Sequence, residues 1–143
     1  MKLSKLGKTF LIEEMIEDQV TEIIVGIKID NQFGPVIVIG AGGIYTELIN
    51  DSITLLPPFT KSIVFKAIDD LKISKLLGGY RKKPKGDIEE LVQTIMKLGK
   101  FAEKNASRLV EVEINPLIVR PKGKGVIAVD ALIHYLEDLE ENK

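Results

Sequence analysis

Apolar and polar residues alternate over Glu22–Ile29, where Ile23, Val25, Ile27 and Ile29 fall on one face. That two-residue period predicts a half-buried strand. Val36–Ile39 is a continuous apolar run, which predicts a buried strand. Between them, Asn31–Gln32–Phe33–Gly34–Pro35 is a turn cluster. Phe10–Met15 reads as a further short strand, and Gly40–Ala41–Gly42–Gly43 as a flexible loop. Thr46–Leu56 reads as extended chain, interrupted at Asn50–Asp51 and ended by Pro57–Pro58. The period then changes. Ile63, Val64, Ala67, Ile68 and Leu71 recur with helical spacing behind Thr60, an N-cap residue. A second helical stripe, Ile88, Leu91, Val92, Ile95, Leu98 and Ala102, follows Asp87, which with Glu90 forms a capping-box pattern. Leu109–Ile114 and Val126–Ile133 return to strand character, and the charged tail Glu137–Lys143 is expected to fray.

Strands, two main helices and strands again, with short connections, predict an α+β class built on a mostly antiparallel sheet. No repeat or linker divides the chain, so residues 1–143 read as a single domain. Hydrophobic residues at 45% and charged residues at 29% agree with a globular core. A net charge of −1 argues against a dedicated nucleic-acid binder. The absence of Cys excludes disulfides, thiolate catalysis, iron–sulfur ligation and cysteine zinc sites. The longest uncharged run, Asn31–Thr46, is too short and too rich in glycine to span a bilayer. The N-terminus carries no signal-peptide apolar region. The expectation is a cytoplasmic protein with no membrane partner. Abundant Ile and Lys with few aromatics lean towards a thermophile.

The last two strands hold the residues that look chemical. With Val110, Val112 and Ile114 on one face, the other carries Glu111, Glu113 and Asn115. Pro116 holds Asn115 extended. Pro121–Lys122–Gly123–Lys124 is the natural turn, and a two-residue Lys122–Gly123 loop places Asn115 directly opposite Asp130. Opposed Cβ atoms lie about 4.5–5.5 Å apart, so one amide and one carboxylate converge with Glu113 one step away. A one-residue slip destroys the arrangement. By these residues alone, the pair is either an Asn–Asp hydrogen bond that stabilises a hairpin or a few hard oxygens for a cation shared with phosphates.

Three other features of the chain bear on its chemistry. Gly40–Gly43 lacks both the third glycine of a dinucleotide fingerprint and the Gly-Lys-Ser/Thr of a P-loop. It is an ordinary turn or a phosphate-approaching loop. Arg81–Lys82–Lys83–Pro84–Lys85 is a basic loop, either solvated or gripping phosphate, with Arg81 best suited to bidentate contact. His134, the single histidine, has no evident Ser partner for a catalytic triad and reads as an ordinary surface or core residue.

The stretches D-x-Q-F-G-P, G-x-G-G-I, G-Y-R and E-I-N-P, in that order between about Lys8 and His134, resemble the NDP-forming acyl-CoA synthetases. The resemblance is to the β subunit of ADP-forming acetate–CoA ligase and more distantly to that of succinyl-CoA synthetase. It implies the C-terminal subdomain of an ATP-grasp fold, with ATP or ADP and Mg²⁺ as cofactors. Glu13, Glu14, Met15 and Ile16 match the hinge that meets the adenine. Glu22 matches the acid that binds the ribose, and Asn115 and Asp130 match the Mg²⁺ ligands. Arg81 matches the arginine of the G-Y-R loop, with phosphate or active-site contact. Glu113, beside the metal pair, is grouped with Arg81 as a catalytic candidate. Glu47 fits the pattern without an assignable role.

The resemblance also implies what else the reaction uses. Family β chains place another lobe before the hinge, and Met1–Lys8 is too short to supply it. The family reaction also uses a phosphohistidine from a CoA-binding α subunit or domain, and His134 lies in no matching motif. The expected function is therefore the nucleotide- and Mg²⁺-binding part of an acyl-CoA synthetase, which needs that lobe and that partner for turnover. That enzyme interconverts acyl-CoA, ADP and phosphate with free acid, CoA and ATP. The alternative is a non-catalytic, degenerate ATP-grasp module that binds a partner or self-associates as a homo-oligomer.

Overall fold

The computed structural model describes residues 9–43 and 50–136. Six strands form one antiparallel sheet: β1 Thr21–Asp30, β2 Gly34–Ala41, β3 Ser52–Leu55, β4 Leu109–Val119, β5 Val126–Ala128 and β6 Ala131–Tyr135. The order across the sheet is β3-β2-β1-β4-β5, with β6 also paired to β4. Among the described residues three helices accompany it: α1 Lys61–Asp70, the short α2 Ser74–Leu77, and α3 Ile88–Asn105. This is the expected α+β class.

The alternation in β1 does what the sequence predicts. Ile23, Val25 and Ile27 are fully buried and join Ile37 and Ile39 of β2 beneath Val64, Ile68, Leu91 and Ile95 of the helices. Burying one such side chain contributes roughly 1.5–3 kcal/mol. The helices cover this face of the sheet. The other face of β1 carries Glu22, Ile24, Gly26 and Lys28, which are exposed or half-buried.

The starts of α1 and α3 are capped by side chains. Thr60 Oγ1 accepts from the Ile63 N–H at 3.4 Å, and Asp87 Oδ1 from the Glu90 N–H at 3.4 Å. The second cap departs from the predicted box. The other Asp87 oxygen accepts from the N–H groups of Gly123 and Gly125, both at 2.9 Å, while Glu90 lies 3.7 Å from Lys97. Asp87 therefore joins the helix to the hairpin turn. Within the predicted α1 stripe, Ile63 is exposed rather than core.

Several predicted boundaries are corrected. Phe10–Met15 is not a strand: no described strand neighbours it, and Phe10, Leu11, Ile12 and Met15 are exposed. Gly40 and Ala41 belong to β2, because their partners in β1 continue the ladder. Leu109–Ile114 is only the first part of β4, which runs on to Val119. Val126–Ile133 is two strands, β5 and β6, separated at Val129–Asp130. Of the predicted Thr46–Leu56 stretch, Ser52–Leu55 is a strand and residues 46–49 lie outside the described residues, as do Met1–Lys8 and Glu137–Lys143. Among the described residues no helix is long and apolar enough to cross a membrane.

Candidate functional site on the open face of the sheet

The hairpin of β4 with β5 and β6 has the predicted register. Lys124 N–H donates to the Pro121 carbonyl at 2.8 Å, which closes a turn around Lys122–Gly123. Gly123 takes φ +83, a left-handed value suited to glycine at the third position of a type II turn. Leu117 pairs with Ala128 on one side of the bend, and Ile114 with Ala131 on the other. Between them, the Asn115 N–H donates to the Asp130 carbonyl at 3.1 Å, and the Val129 N–H to the Pro116 carbonyl at 3.1 Å.

Towards β1 the same stretch is irregular. Ile23 pairs with Leu117 and Val25 with Ile114, so Asn115 and Pro116 together stand opposite Ile24. This is a β-bulge, and it explains how a proline sits in a central strand: the residue without an N–H occupies the position where the ladder is already broken. Ile114 and Leu117 both stay buried, and the two residues between them are half-exposed.

A second chain segment reaches the bulge. Gly43, just past the end of β2, donates its N–H to Asn115 Oδ1 at 3.0 Å. The adjacent Gly42 N–H donates to the Glu22 carbonyl at 3.0 Å. Gly43 has φ +59, and a Cβ there would collide with the Glu22 carboxylate. Glycine is needed at Gly43 both for its backbone angle and for this approach. Asp51 anchors the same strand end. Its carbonyl accepts from Ala41 N–H at 3.0 Å, and its carboxylate accepts from Lys72 and Ile73 N–H, both at 2.9 Å. Nothing in the local pattern identified Asp51 in advance. Its partners lie on a different element.

Glu22, Gly42–Gly43, Asn115 and Asp130 thus meet at one end of the open face. Glu113, exposed, continues it between Gly26 and Leu132. Beyond lies Glu111, which pairs across the sheet with Lys28 and His134. Glu111 Oε1 and His134 Nδ1 are 2.9 Å apart. His134 is therefore the partner of a carboxylate, as a partly exposed sheet residue.

Other predicted residues lie apart from this cluster. Glu13, Glu14 and Met15 are exposed and Ile16 is half-buried, in irregular chain before β1. That segment is tethered at Asp18, which receives Arg120 Nε at 2.8 Å, Arg120 Nη2 at 3.0 Å and Lys124 Nζ at 2.9 Å. Arg120 and then Lys124 hold the Asp18 carboxyl far below the usual carboxylate range. The tether was not evident in the sequence, since it joins distant positions. Arg81 has φ +57 and lies over the Tyr80 ring, 5.3 Å from its centroid, with no ion pair among the described residues. Glu47 lies outside the described residues.

The donor set decides which cation fits. No group of three or more His, Cys, Asp or Glu side chains among the described residues could cage a metal. Asn115 Oδ1 has one lone pair engaged by Gly43 and one remaining. Asp130 is exposed and forms no ion pair among the described residues. Two hard oxygens, one neutral and one charged, suit Mg²⁺ that takes its remaining ligands from water and phosphate.

Comparison with known proteins places the chain in a family. A family model described as an ATP-grasp domain matches residues 4–134. The chain is 36% identical over 123 residues to an ADP-forming acetate–CoA ligase of Methanocaldococcus jannaschii, covering 86% of this chain and 17% of that protein. It is 35% identical over 112 residues to the β subunit of ADP-forming acetate–CoA ligase II of Pyrococcus furiosus, covering 78% of this chain and 48% of the subunit. It therefore spans less than half the length of either relative. Among solved structures, acetyl-coenzyme A synthetase 1 of Ca. Korarchaeum cryptofilum, in complex with coenzyme A and Mg-AMPPCP, superposes with a TM-score of 0.75 at 33% identity. That match covers 80% of this chain and 53% of the other. The chain belongs to the ATP-grasp family, in the branch that contains the ADP-forming acetate–CoA ligases.

Proposed function

We propose that this chain is the nucleotide- and Mg²⁺-binding part of an ADP-forming acyl-CoA synthetase, the enzyme that converts acyl-CoA, ADP and phosphate to acid, CoA and ATP. The observation that carries the reading is the backbone pairing of Asn115 with Asp130 across the hairpin, with Gly43 bonded to the Asn115 side chain and close against the Glu22 carboxylate. In this reading Asn115 and Asp130 hold Mg²⁺ at the nucleotide phosphates. A cation held by these two residues would supply charge neutralisation at the phosphate oxygens. Glu22 receives the ribose hydroxyls, and Glu13–Ile16 lie along the adenine. Glu113 extends the negative edge of the site. Arg81 contacts phosphate or the phosphoryl donor from its own loop. Turnover draws on two further units, a second lobe over the nucleotide and a CoA-binding partner that carries the phosphohistidine.

Calorimetric titration of ADP and ATP into this chain, with and without Mg²⁺, tests the reading beside Asp130→Ala. The expected result is Mg²⁺-dependent binding that the variant loses. A well-folded chain that binds neither nucleotide, or whose binding survives the substitution, overturns it. Such an outcome favours a non-catalytic module instead. Coexpression with a lobe and a CoA-binding subunit taken from a relative tests the second half, and absence of turnover counts against it.

A further inference from the structure

We propose that the cleft on the helical side of the sheet binds a small organic anion, a carboxylate on an apolar skeleton, separately from the nucleotide. The cleft lies among α1, α2, the start of α3 and the hairpin turn, and has a volume of about 910 Å³. That is the size of a small-molecule site. Phe65, Ile68, Leu77 and Ile88 give it apolar walls.

Its charges are sorted by element. The carboxylates of Asp69 and Glu89 line it on α1 and α3, and Lys66 on α1 is already paired with Asp70 at 2.8 Å. The cations Lys85 and Lys122 line it from the loop before α3 and from the hairpin turn. A backbone hydrogen bond of 2.9 Å from Lys122 N–H to the Lys85 carbonyl brings these two segments together. Neither ammonium has an ion-pair partner among the described residues. The one carboxylate beneath them, Asp87, is buried and already accepts three backbone N–H groups. Arg81, Lys82 and Lys83 precede Lys85 in the same loop with no acidic residue between them. An anionic head is therefore drawn to the Lys85–Lys122 end, with its apolar body along the helices. The Asn115–Asp130 pair belongs to the hairpin on the open face, so the two ligands need not compete.

The test is a titration of the ¹⁵N-labelled chain with octanoate, and in parallel with 1-octanol, followed by amide chemical shifts. Octanoate is expected to give saturable shifts centred on Ser74, Gly78, Gly86 and Gly123. Lys85→Gln with Lys122→Gln removes two exposed charges without adding a negative one beside Asp87. It is expected to weaken octanoate about fivefold to tenfold and leave octanol unchanged. Ser74→Trp, which fills the cleft, is expected to abolish both, with the spectrum otherwise retained. Mg·ATP is expected not to displace octanoate. Shifts centred elsewhere, no shifts at millimolar octanoate, or equal loss of octanoate and octanol in the lysine variant overturns the proposal. Displacement by Mg·ATP also overturns it.

Discussion

The N–H of Asn115 donates to the carbonyl oxygen of Asp130 over 3.1 Å, joining β4 to the break between β5 and β6. The two positions differ in what else they support. Asn115 Oδ1 also accepts the Gly43 N–H, whereas Asp130 is exposed and forms no ion pair among the described residues. Asn115→Ala is expected to cost about 1 kcal/mol of stability, the net worth of one hydrogen bond. Asp130→Ala is expected to stay within about 0.5 kcal/mol of the parent, as exposed substitutions do. Both are expected to lose Mg²⁺-dependent nucleotide binding. Urea denaturation alongside calorimetry separates the two effects, and a large stability loss in the Asp130 variant would contradict the assignment.

Gly43→Ala adds a methyl group where the backbone has φ +59 and the Glu22 carboxylate is already in contact. The backbone angle alone costs about 1 kcal/mol for a residue with a Cβ. Glu22 must also swing away. The expected outcome is lower stability together with weaker ADP binding, measured on the same preparation. Unaltered ADP affinity would show that Glu22 and the Gly43 backbone do not contribute to the nucleotide site.

Asp87 is a buried carboxylate whose pKa is lowered by the fold. Hydrogen bonding from the Gly125 N–H is the chief cause of its lowered pKa, opposed by burial and assisted by Glu90, Gly123 and the Lys122 charge. A carboxyl whose folded pKa lies below its unfolded value contributes stability that is complete above the ordinary carboxylate range near 4. That contribution is lost as pH falls through the depressed value. Asp87→Ala is expected to cost about 2 kcal/mol at neutral pH, since it leaves a helix start and two hairpin amides without an acceptor. The variant's urea midpoint should also fall less than the parent's between neutral and acid pH. Parallel acid limbs would show that some other carboxylate governs them.

Asp18 acts on a different scale. It ties the irregular segment before β1 to Arg120 and Lys124 at the hairpin end, and all three side chains are partly exposed. Asp18→Asn is expected to speed hydrogen exchange over residues 9–20 while the global unfolding midpoint stays in place. The parent should approach the variant's exchange pattern as salt is raised, because partly exposed ion pairs are screened. Unchanged exchange in that segment would mean that the ion pairs do not hold it.

Much of the fold was legible because its signals are local. The period of β1, the Thr60 and Asp87 caps and the Lys122–Gly123 turn each depend on residues within a few positions of one another. The hairpin register followed from the turn, and with it the Asn115–Asp130 pairing. The resemblance of the quoted motifs to the acyl-CoA synthetases was also carried by short stretches, and the family match extends over them. The Phe10–Met15 expectation failed for a related reason. Strand propensity describes half of a pairing, and no described strand supplies the other half. The division of Val126–Ile133 into β5 and β6 was hidden because an apolar run does not reveal a bend at Val129–Asp130.

The sequence by itself determined the α+β class, the covered face of β1, the helix starts and the partner of Asn115, because alternation, capping and a two-residue turn act over short chain distances. Only the tertiary structure decided the rest. It set Asn115 and Pro116 in a bulge against Ile24, brought Gly43 between Asn115 and Glu22, and gave Asp87 and Asp18 their hairpin partners. These contacts join residues far apart in the chain. Their formation depends on packing the sheet against the helices, which no local pattern records.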